Sequence, residues 1–204
     1  DVYKRQLVDY VCRGEGEGAV VEMANALCTG GRIDQIKNCI VKGDGNIFKN
    51  NMRPPIGIDS VPIPDWDLFE PGSLYRPMQG KIWRAVGFET QRGCPYTCTF
   101  CNSPSNNVEY KAETGGKFHR KKSIKRMKKE LDFLVKKYDP NLIYFVVDTF
   151  LAMSNREFDE LKELYSDYKI PFWMNTRAET INEYRAAGLA EMNMLRMNIG
   201  IEPV

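Results

Sequence analysis

Cys94, Cys98 and Cys101 sit in Arg92-Gly-Cys-Pro-Tyr-Thr-Cys-Thr-Phe-Cys-Asn102, a C-x3-C-x2-C triplet with an aromatic residue just before the last cysteine. Three thiolates can hold three irons of a [4Fe–4S] cluster and leave the fourth iron open, whereas a cluster that only carries electrons takes four cysteines. An open iron is a binding site for chemistry. The competing chemistry is a structural zinc site, which would make the chain a zinc-stabilised interaction module. Zinc wants four ligands, and the single histidine, His119, lies well downstream of the triplet. Spacing therefore favours iron.

The elements that must position this triplet alternate between strand and helix. Trp83 to Glu89 reads as a strand leading into the cysteine loop, and Ser123 to Tyr138 as a helix stopped by Asp139-Pro140. Leu142 to Val147 is a continuous apolar run that suits a strand buried on both faces of a parallel sheet. Ser154 with Glu157 makes a capping box that opens a helix through Tyr165. Pro171 to Asn175 predicts a third strand, Ile181 to Ala187 a helix ended by Gly188, and Leu195 to Ile201 a fourth strand. Such βα repeats predict an α/β fold, a (β/α) barrel built in sequence order.

A barrel of this type needs about 200 residues or more, and the fourth strand would be left as an apolar edge. The expectation is a fragment cut at both ends and inactive by itself. Asp1-Val-Tyr-Lys-Arg-Gln6 has no initiator Met, resembles a translated adapter scar and is given no structural weight.

Upstream, Leu7 to Cys12 reads as a short buried strand that runs into Arg13-Gly-Glu-Gly-Glu-Gly18 and a helix from Ala19 to Leu27. Gly14, Gly16 and Ala19 match a dinucleotide-binding fingerprint only formally. Glu15 and Glu17 would repel a pyrophosphate, and no complete βαβ unit follows. Ile36 to Val41 and Ile47 to Asn50 flank Lys42-Gly-Asp-Gly45, which is hairpin chemistry. Pro54, Pro55, Pro62, Pro64, Pro71 and Pro77 then rule out a helix or central strand, so the stretch from Arg53 is an extended connector. Three segments follow: residues 1–52, a connector at 53–82, and the truncated barrel at 83–204.

At 204 residues and 43% hydrophobic, the chain is globular rather than disordered. No apolar run reaches the roughly 20 residues that cross a bilayer, and no secretory signal pattern opens it, which predicts a cytoplasmic protein with no membrane partner. Cys12, Cys28 and Cys39 have no regular spacing and read as unpaired, mostly buried thiols of a reducing compartment. The ten Lys and Arg between Lys117 and Lys137 form a local basic bias. Ile124, Met127, Leu131, Leu134 and Val135 fall at helical spacing among them, so the cations are the wet face of an amphipathic helix. Interleaved aromatics for base stacking are absent, which argues against a nucleic-acid partner.

The triplet resembles the signature of the radical S-adenosylmethionine (SAM) enzymes, in which the amino and carboxylate groups of SAM chelate the fourth iron. Beyond it, residues 7 to 203 are similar to the branch of that superfamily that carries a B12-binding domain. Arg13-Gly-Glu-Gly-Glu17 is similar to the turn closing that branch's Rossmann-like domain, Asp59-Ser-Val-Pro-Ile-Pro-Asp65 to its connector, and Glu89-Thr-Gln-Arg-Gly-Cys94 to its approach to the cluster. The resemblance implies the C-terminal edge of a Rossmann-like cobalamin-binding domain, followed by the first half of a radical SAM (β/α) partial TIM barrel.

It also implies roles. Cys94, Cys98 and Cys101 would hold the [4Fe–4S] cluster, with SAM on the open iron. Phe100 would pack near the adenine, or simply in the core. Asp148, in Val147-Asp-Thr-Phe150, is similar to the branch's Asp-Asp-Thr-Phe element and would hold the SAM ammonium; Val147 replaces the first acid. Thr176 and Arg177, in Asn175-Thr-Arg-Ala-Glu179, are similar to Thr-Arg-Ala-Asp, and the Arg177 fork suits a carboxylate or ribose as well as it suits a surface ion pair. Glu202, in Gly-Ile-Glu-Pro203, is similar to the family's SAM-contacting Gly-Ile-Glu-Ser, with Pro203 departing from it. Gly14 and Gly16 would lie at the cobalamin-domain turn. The implied activity is reductive cleavage of SAM to a 5′-deoxyadenosyl radical. It would serve methyl transfer or cyclisation on a small-molecule substrate, with a flavodoxin or ferredoxin as one-electron reductant and cobalamin as a further cofactor. The rival within the superfamily is a tRNA methylthiotransferase-like enzyme.

Overall fold

The computed structural model describes residues 8–43 and 45–201. They fall into two compact units, one drawn from Asp1–Ile56 and Thr97–Phe118, the other from Gly57–Tyr96 and His119–Val204. Asp1 to Gln6 and Glu202 lie outside the described residues.

The first unit holds a three-stranded antiparallel sheet in the order β1 (Tyr10–Cys12), β2 (Cys39–Gly43), β3 (Asn46–Lys49), with Val11 opposite Ile40 and Val41 opposite Phe48. The hairpin lies where the glycines predict it, but β2 starts at Cys39 rather than Ile36. The cause is Asn38, which takes a left-handed φ of 68°, a conformation asparagine tolerates better than most residues. Its side chain then fastens the neighbourhood: Nδ2 donates to the Glu15 carbonyl at 2.8 Å and Oδ1 accepts the Arg53 N–H at 2.5 Å.

Helix α1 (Glu17–Thr29) is longer than predicted and ends at left-handed Gly30 (φ 71°). Ala19, Ile36, Cys39 and Val41 form the small core of this unit. Of the three thiols expected to be mostly buried, Cys39 is buried and Cys12 and Cys28 are exposed, because α1 buries little beyond Ala19 and β1 is exposed at its end. Helix α2 (Ser103–Thr114) follows the cysteine triplet and was not anticipated from the sequence.

In the second unit a five-stranded sheet runs β10-β9-β8-β5-β4. Strands β5 (Lys81–Phe88), β8 (Leu142–Phe145), β9 (Phe172–Arg177) and β10 (Met194–Gly200) are mutually parallel neighbours in chain order, as the βα repeats predict. The edge strand β4 (Tyr75–Met78) corrects the expectation of an extended connector here; it pairs antiparallel with β5. Its turn, Gln79-Gly80, has both residues at positive φ, 53° and 72°, the backbone that a two-residue hairpin requires. Pro77 is tolerated because an edge strand needs no N–H on its outer side. Three single-turn helices, Ile58–Ser60, Trp66–Leu68 and Pro71–Leu74, punctuate the proline-rich stretch before β4. A two-residue ribbon, β6 (Gln91–Arg92) with β7 (Arg120–Lys121), completes the strands described.

Helices α3 (Ile124–Tyr138), α4 (Asn155–Tyr165) and α5 (Glu183–Glu191) connect the parallel strands. Ser123 caps α3 and left-handed Asp139 ends it, while Ser154 and Glu157 form the predicted capping box of α4. Helix α5 runs through Gly188 instead of stopping there. Phe145 is the hub of the core, its ring 5.1 Å from Phe172, 4.6 Å from Phe150 and 5.6 Å from Phe88. On α3, Met127, Leu131 and Leu134 are buried as expected, but so is Glu130, whose carboxylate meets Lys122 Nζ at 2.9 Å and Arg126 Nε at 3.2 Å. Several other cations of the basic stretch are also paired: Lys121 with Glu157, Lys128 with Asp132, and Lys137 with Asp65 and Asp67.

Candidate active site

The cysteine loop leaves the C-terminal end of β5, the end of a parallel strand at which such barrels place their chemistry. Cys94 belongs to the second unit; Cys98 and Cys101 belong to the first. None of the six cysteines is in a disulfide. The Cys101 N–H donates to the Cys98 carbonyl at 3.2 Å, and the Cys101 Sγ accepts the Ser103 N–H at 3.4 Å at the first turn of α2. Cys101 is exposed, Cys98 is half-buried and Phe100 is 60% exposed, so Phe100 does not take the core-packing role. Among the described residues no three His, Cys, Asp or Glu side chains are gathered closely enough to hold a metal ion. As a donor set, the soft thiol ligands fit an iron–sulfur cluster.

Cys94 is buried, and its Sγ lies 3.6 Å from Thr149 Oγ1. Thr149 is held in turn by Gln91, whose Nε2 donates to the Thr149 carbonyl, while Gln91 Oε1 faces His119 Nε2 at 3.3 Å. Both Gln91 and Thr149 are buried. Burial, and then the neighbouring Lys121 ammonium, hold His119 below its ordinary value, with Glu157 and Asp148 pulling the other way. Neither Gln91 nor Thr149 stood out in the sequence, because neither is a metal ligand or a titrating group. Their only signal was their place inside the Glu89-to-Cys94 and Val147-to-Phe150 segments.

The remaining candidates follow the neighbouring parallel strands. Asp148 is exposed on the loop after β8. That loop is stitched to β9: the Phe150 N–H donates to the Asn175 carbonyl at 2.8 Å and the Leu151 N–H to Thr176 Oγ1 at 3.4 Å. Thr176 is buried, with its hydroxyl also 2.8 Å from Thr180 Oγ1, so it serves the loop scaffold. Arg177 forms an ion pair, its Nε donating to Glu179 Oε1 at 2.6 Å. Its guanidinium also lies 4.6 Å over the ring of Tyr96, a cation–π partner the sequence did not suggest. Within the second unit an open hollow of about 480 Å³ is lined by Pro95, Tyr96, His119, Leu151, Glu179 and Arg185.

Gly14 and Gly16 have different duties. Gly14 adopts φ +77°, and a Cβ there would lie 2.3 Å from Tyr110 Oη and 2.9 Å from Met52 Cε. Gly16 has φ −94° and is the N-cap of α1. The turn they bracket is anchored by Arg13, which donates to both Glu113 oxygens at 2.7 and 2.8 Å and also reaches Glu109. Tyr110 Oη accepts the Glu15 N–H at 2.8 Å, and Glu15 Oε2 accepts the Ile56 N–H at 2.7 Å. Glu15 therefore braces its own loop.

Comparison with known proteins places the chain. An uncharacterized methyltransferase of Pyrococcus horikoshii is 32% identical over 197 residues, which is 96% of this chain and 40% of that protein. The anaerobic magnesium-protoporphyrin IX monomethyl ester cyclase of Rubrivivax gelatinosus is 28% identical over 206 residues, covering 92% of this chain and 34% of the cyclase. The chain thus spans about two fifths or less of these relatives. Among solved structures, the cobalamin-dependent S-adenosylmethionine radical enzyme OxsB, with aqua-cobalamin and S-adenosylmethionine bound, superposes with a TM-score of 0.68. The match has 21% identity and covers 98% of this chain and 29% of that one, a likeness of fold. Residues 88–203, which include all three cysteines of the triplet and the parallel strands that follow them, match the family model of the radical SAM superfamily, and the chain belongs to that superfamily.

Proposed function

We propose that the intact protein is a cobalamin-dependent radical SAM methyltransferase or cyclase acting on a small molecule in the cytoplasm, with electrons from a flavodoxin or ferredoxin. The observation that carries this reading is the C-x3-C-x2-C triplet on the loop leaving β5, in a chain whose relatives are named as a methyltransferase and a cyclase. Cobalamin enters through the named cobalamin dependence of OxsB. In this reading residues 1–52 are the end of the cobalamin-binding domain, 53–82 the connector and 83–204 the first half of the SAM barrel.

Cys94, Cys98 and Cys101 would hold the [4Fe–4S] cluster. A cluster held there would supply one electron for reductive cleavage of the SAM sulfonium bond to a 5′-deoxyadenosyl radical and methionine; the cofactors would carry the hard chemistry. The chain's own residues bind and orient. Asp148 offers a carboxylate to the SAM ammonium, and Arg177, steadied by Tyr96 and Glu179, offers a planar fork to its carboxylate or ribose. Glu202 adds a second acid, Phe100 an apolar surface for the adenine, and Thr176 a fixed loop for its neighbours. Gly14 and Gly16 shape the turn of the cobalamin domain.

The test is anaerobic reconstitution of the intact gene product with iron and sulfide, followed by absorbance, EPR with and without SAM, and assay of 5′-deoxyadenosine under dithionite. A cluster signal that shifts on SAM addition and disappears in Cys98→Ala is expected. A protein that binds one zinc and no iron would sink the proposal.

A further inference from the structure

We propose that Thr149 is a positioning residue that donates its hydroxyl hydrogen to the Cys94 sulfur and so sets the reduction potential of the cluster that Cys94 holds, with Gln91 fixing Thr149 in place. The inference rests on the cluster reading above. Its basis is a short chain of contacts, Gln91 Nε2 to the Thr149 carbonyl and Thr149 Oγ1 to Cys94 Sγ at 3.6 Å. All three residues are buried, at 3% exposure for Gln91, 3% for Thr149 and 8% for Cys94. A buried hydroxyl must place its hydrogen on some acceptor or bear the cost of desolvation. Once Cys94 is ionised, its sulfur is a charged acceptor at that position.

The backbone leaves Thr149 little freedom to turn away. The Val147 N–H bonds the Phe145 carbonyl at 3.1 Å, the Phe150 N–H bonds Asn175 at 2.8 Å and the Ala152 N–H bonds the Thr149 carbonyl at 3.1 Å. That carbonyl also accepts from Gln91, whose own orientation is set by His119 on its other side. Hydrogen bonds to cluster sulfurs are among the levers that set iron–sulfur potentials, and such outer partners tune a metal centre through its ligands. A donor stabilises the extra negative charge of the reduced state more than that of the oxidised state. Removing it must make reduction harder.

The experiment is an EPR-monitored redox titration of the reconstituted intact protein in wild-type form and as Thr149→Ser, Thr149→Val and Thr149→Ala, with iron content measured for each. The expected result is wild-type iron in all four, a wild-type midpoint in Thr149→Ser, and a midpoint shifted to more negative potential in Thr149→Val and Thr149→Ala. Iron at wild-type content with an unchanged midpoint in either hydroxyl-free variant overturns this inference alone. A wild-type protein that takes up no iron overturns the cluster reading and this inference together. A midpoint displaced equally in Thr149→Ser would assign the effect to packing and overturn it as well.

Discussion

Gly188 in α5 lies against the ring of Phe158 in α4, where an added Cβ would stand 2.5 Å from Cε1 and 2.8 Å from Cζ. Phe158 is fully buried, so its ring has nowhere to retreat. Replacing a mid-helix glycine by alanine ordinarily stabilises by about 0.5–1 kcal/mol, but forcing a methyl into a packed core costs about 1–3 kcal/mol. The packing cost wins. Gly188→Ala is expected to lower unfolding stability by about 1–2 kcal/mol in urea titrations, and a gain in stability would show that the two helices can part.

Gly14→Ala should be more damaging, because the left-handed backbone alone costs a non-glycine residue about 1–2 kcal/mol and the new methyl would collide with Tyr110 Oη. Part of the collision disappears if that oxygen is removed. Gly14→Ala combined with Tyr110→Phe should therefore destabilise by less than the sum of the two single changes, read from a double-mutant cycle in chemical denaturation. Strict additivity would mean the tyrosine hydroxyl is not the obstacle.

The Lys122–Glu130 pair is 3% and 1% exposed. Truncating one member leaves a buried charge without its partner, a loss of about 3–5 kcal/mol. Glu130→Ala takes a buried carboxylate from both Lys122 and Arg126, leaving Lys122 the more distant Glu89 at 3.9 Å and Arg126 the Asp59 carbonyl at 3.2 Å, and should fall at the lower end of that range by thermal or urea unfolding. The double change Lys122→Met with Glu130→Leu should recover much of the loss, since well-packed apolar residues often replace a buried pair without penalty.

Stability should also fall on mild acidification. His119 is held below its ordinary value of 6.5, first by burial and then by Lys121, so below pH 6.5 the unfolded chain takes up a proton that the folded chain resists. The stabilisation is complete above that pH and is lost as pH falls through the folded value. Glu157 adds a second window. Burial pushes its carboxyl up, but the Ser154 N–H, the Lys121 ammonium and the Ser154 hydroxyl outweigh burial and bring it down to about 2. Its contribution is present above the ordinary 4.5 and declines from there toward 2. Melting temperatures between pH 8 and pH 5 should fall only in the His119 window, and His119→Gln should flatten that fall.

The parallel strands and the capped helices were legible in the sequence because local patterns specify them: an apolar run at Leu142, a capping box at Ser154, a stop at Asp139. The misses have one physical character in common. Gly188 has the composition of a helix stop, yet the helix runs through it, and its missing side chain makes room for a ring on another element. Helix α2 shows no clear apolar face; it buries Ser103 and Tyr110, and Glu109 and Glu113 meet Arg13 about a hundred positions away in sequence. The β4–β5 hairpin hid behind Pro77, whose edge position only the sheet order reveals. At the candidate site, cysteine spacing marked the triplet, while Thr149 and Gln91 became visible only once the fold set a hydroxyl beside a sulfur.

The first unit is assembled from two stretches, residues 8–56 and 97–118, with the chain spending the interval in the second. No single cut can therefore release either unit whole. A segment excised from Gly57 onward would carry α2 without the Arg13 that grips Glu109 and Glu113 and without the Gly14 turn that seats Tyr110. The two halves of the cysteine loop would be parted from the scaffold of one of them, so this region can be moved between proteins only as one piece, by exchange at positions outside the whole span from β1 to β10.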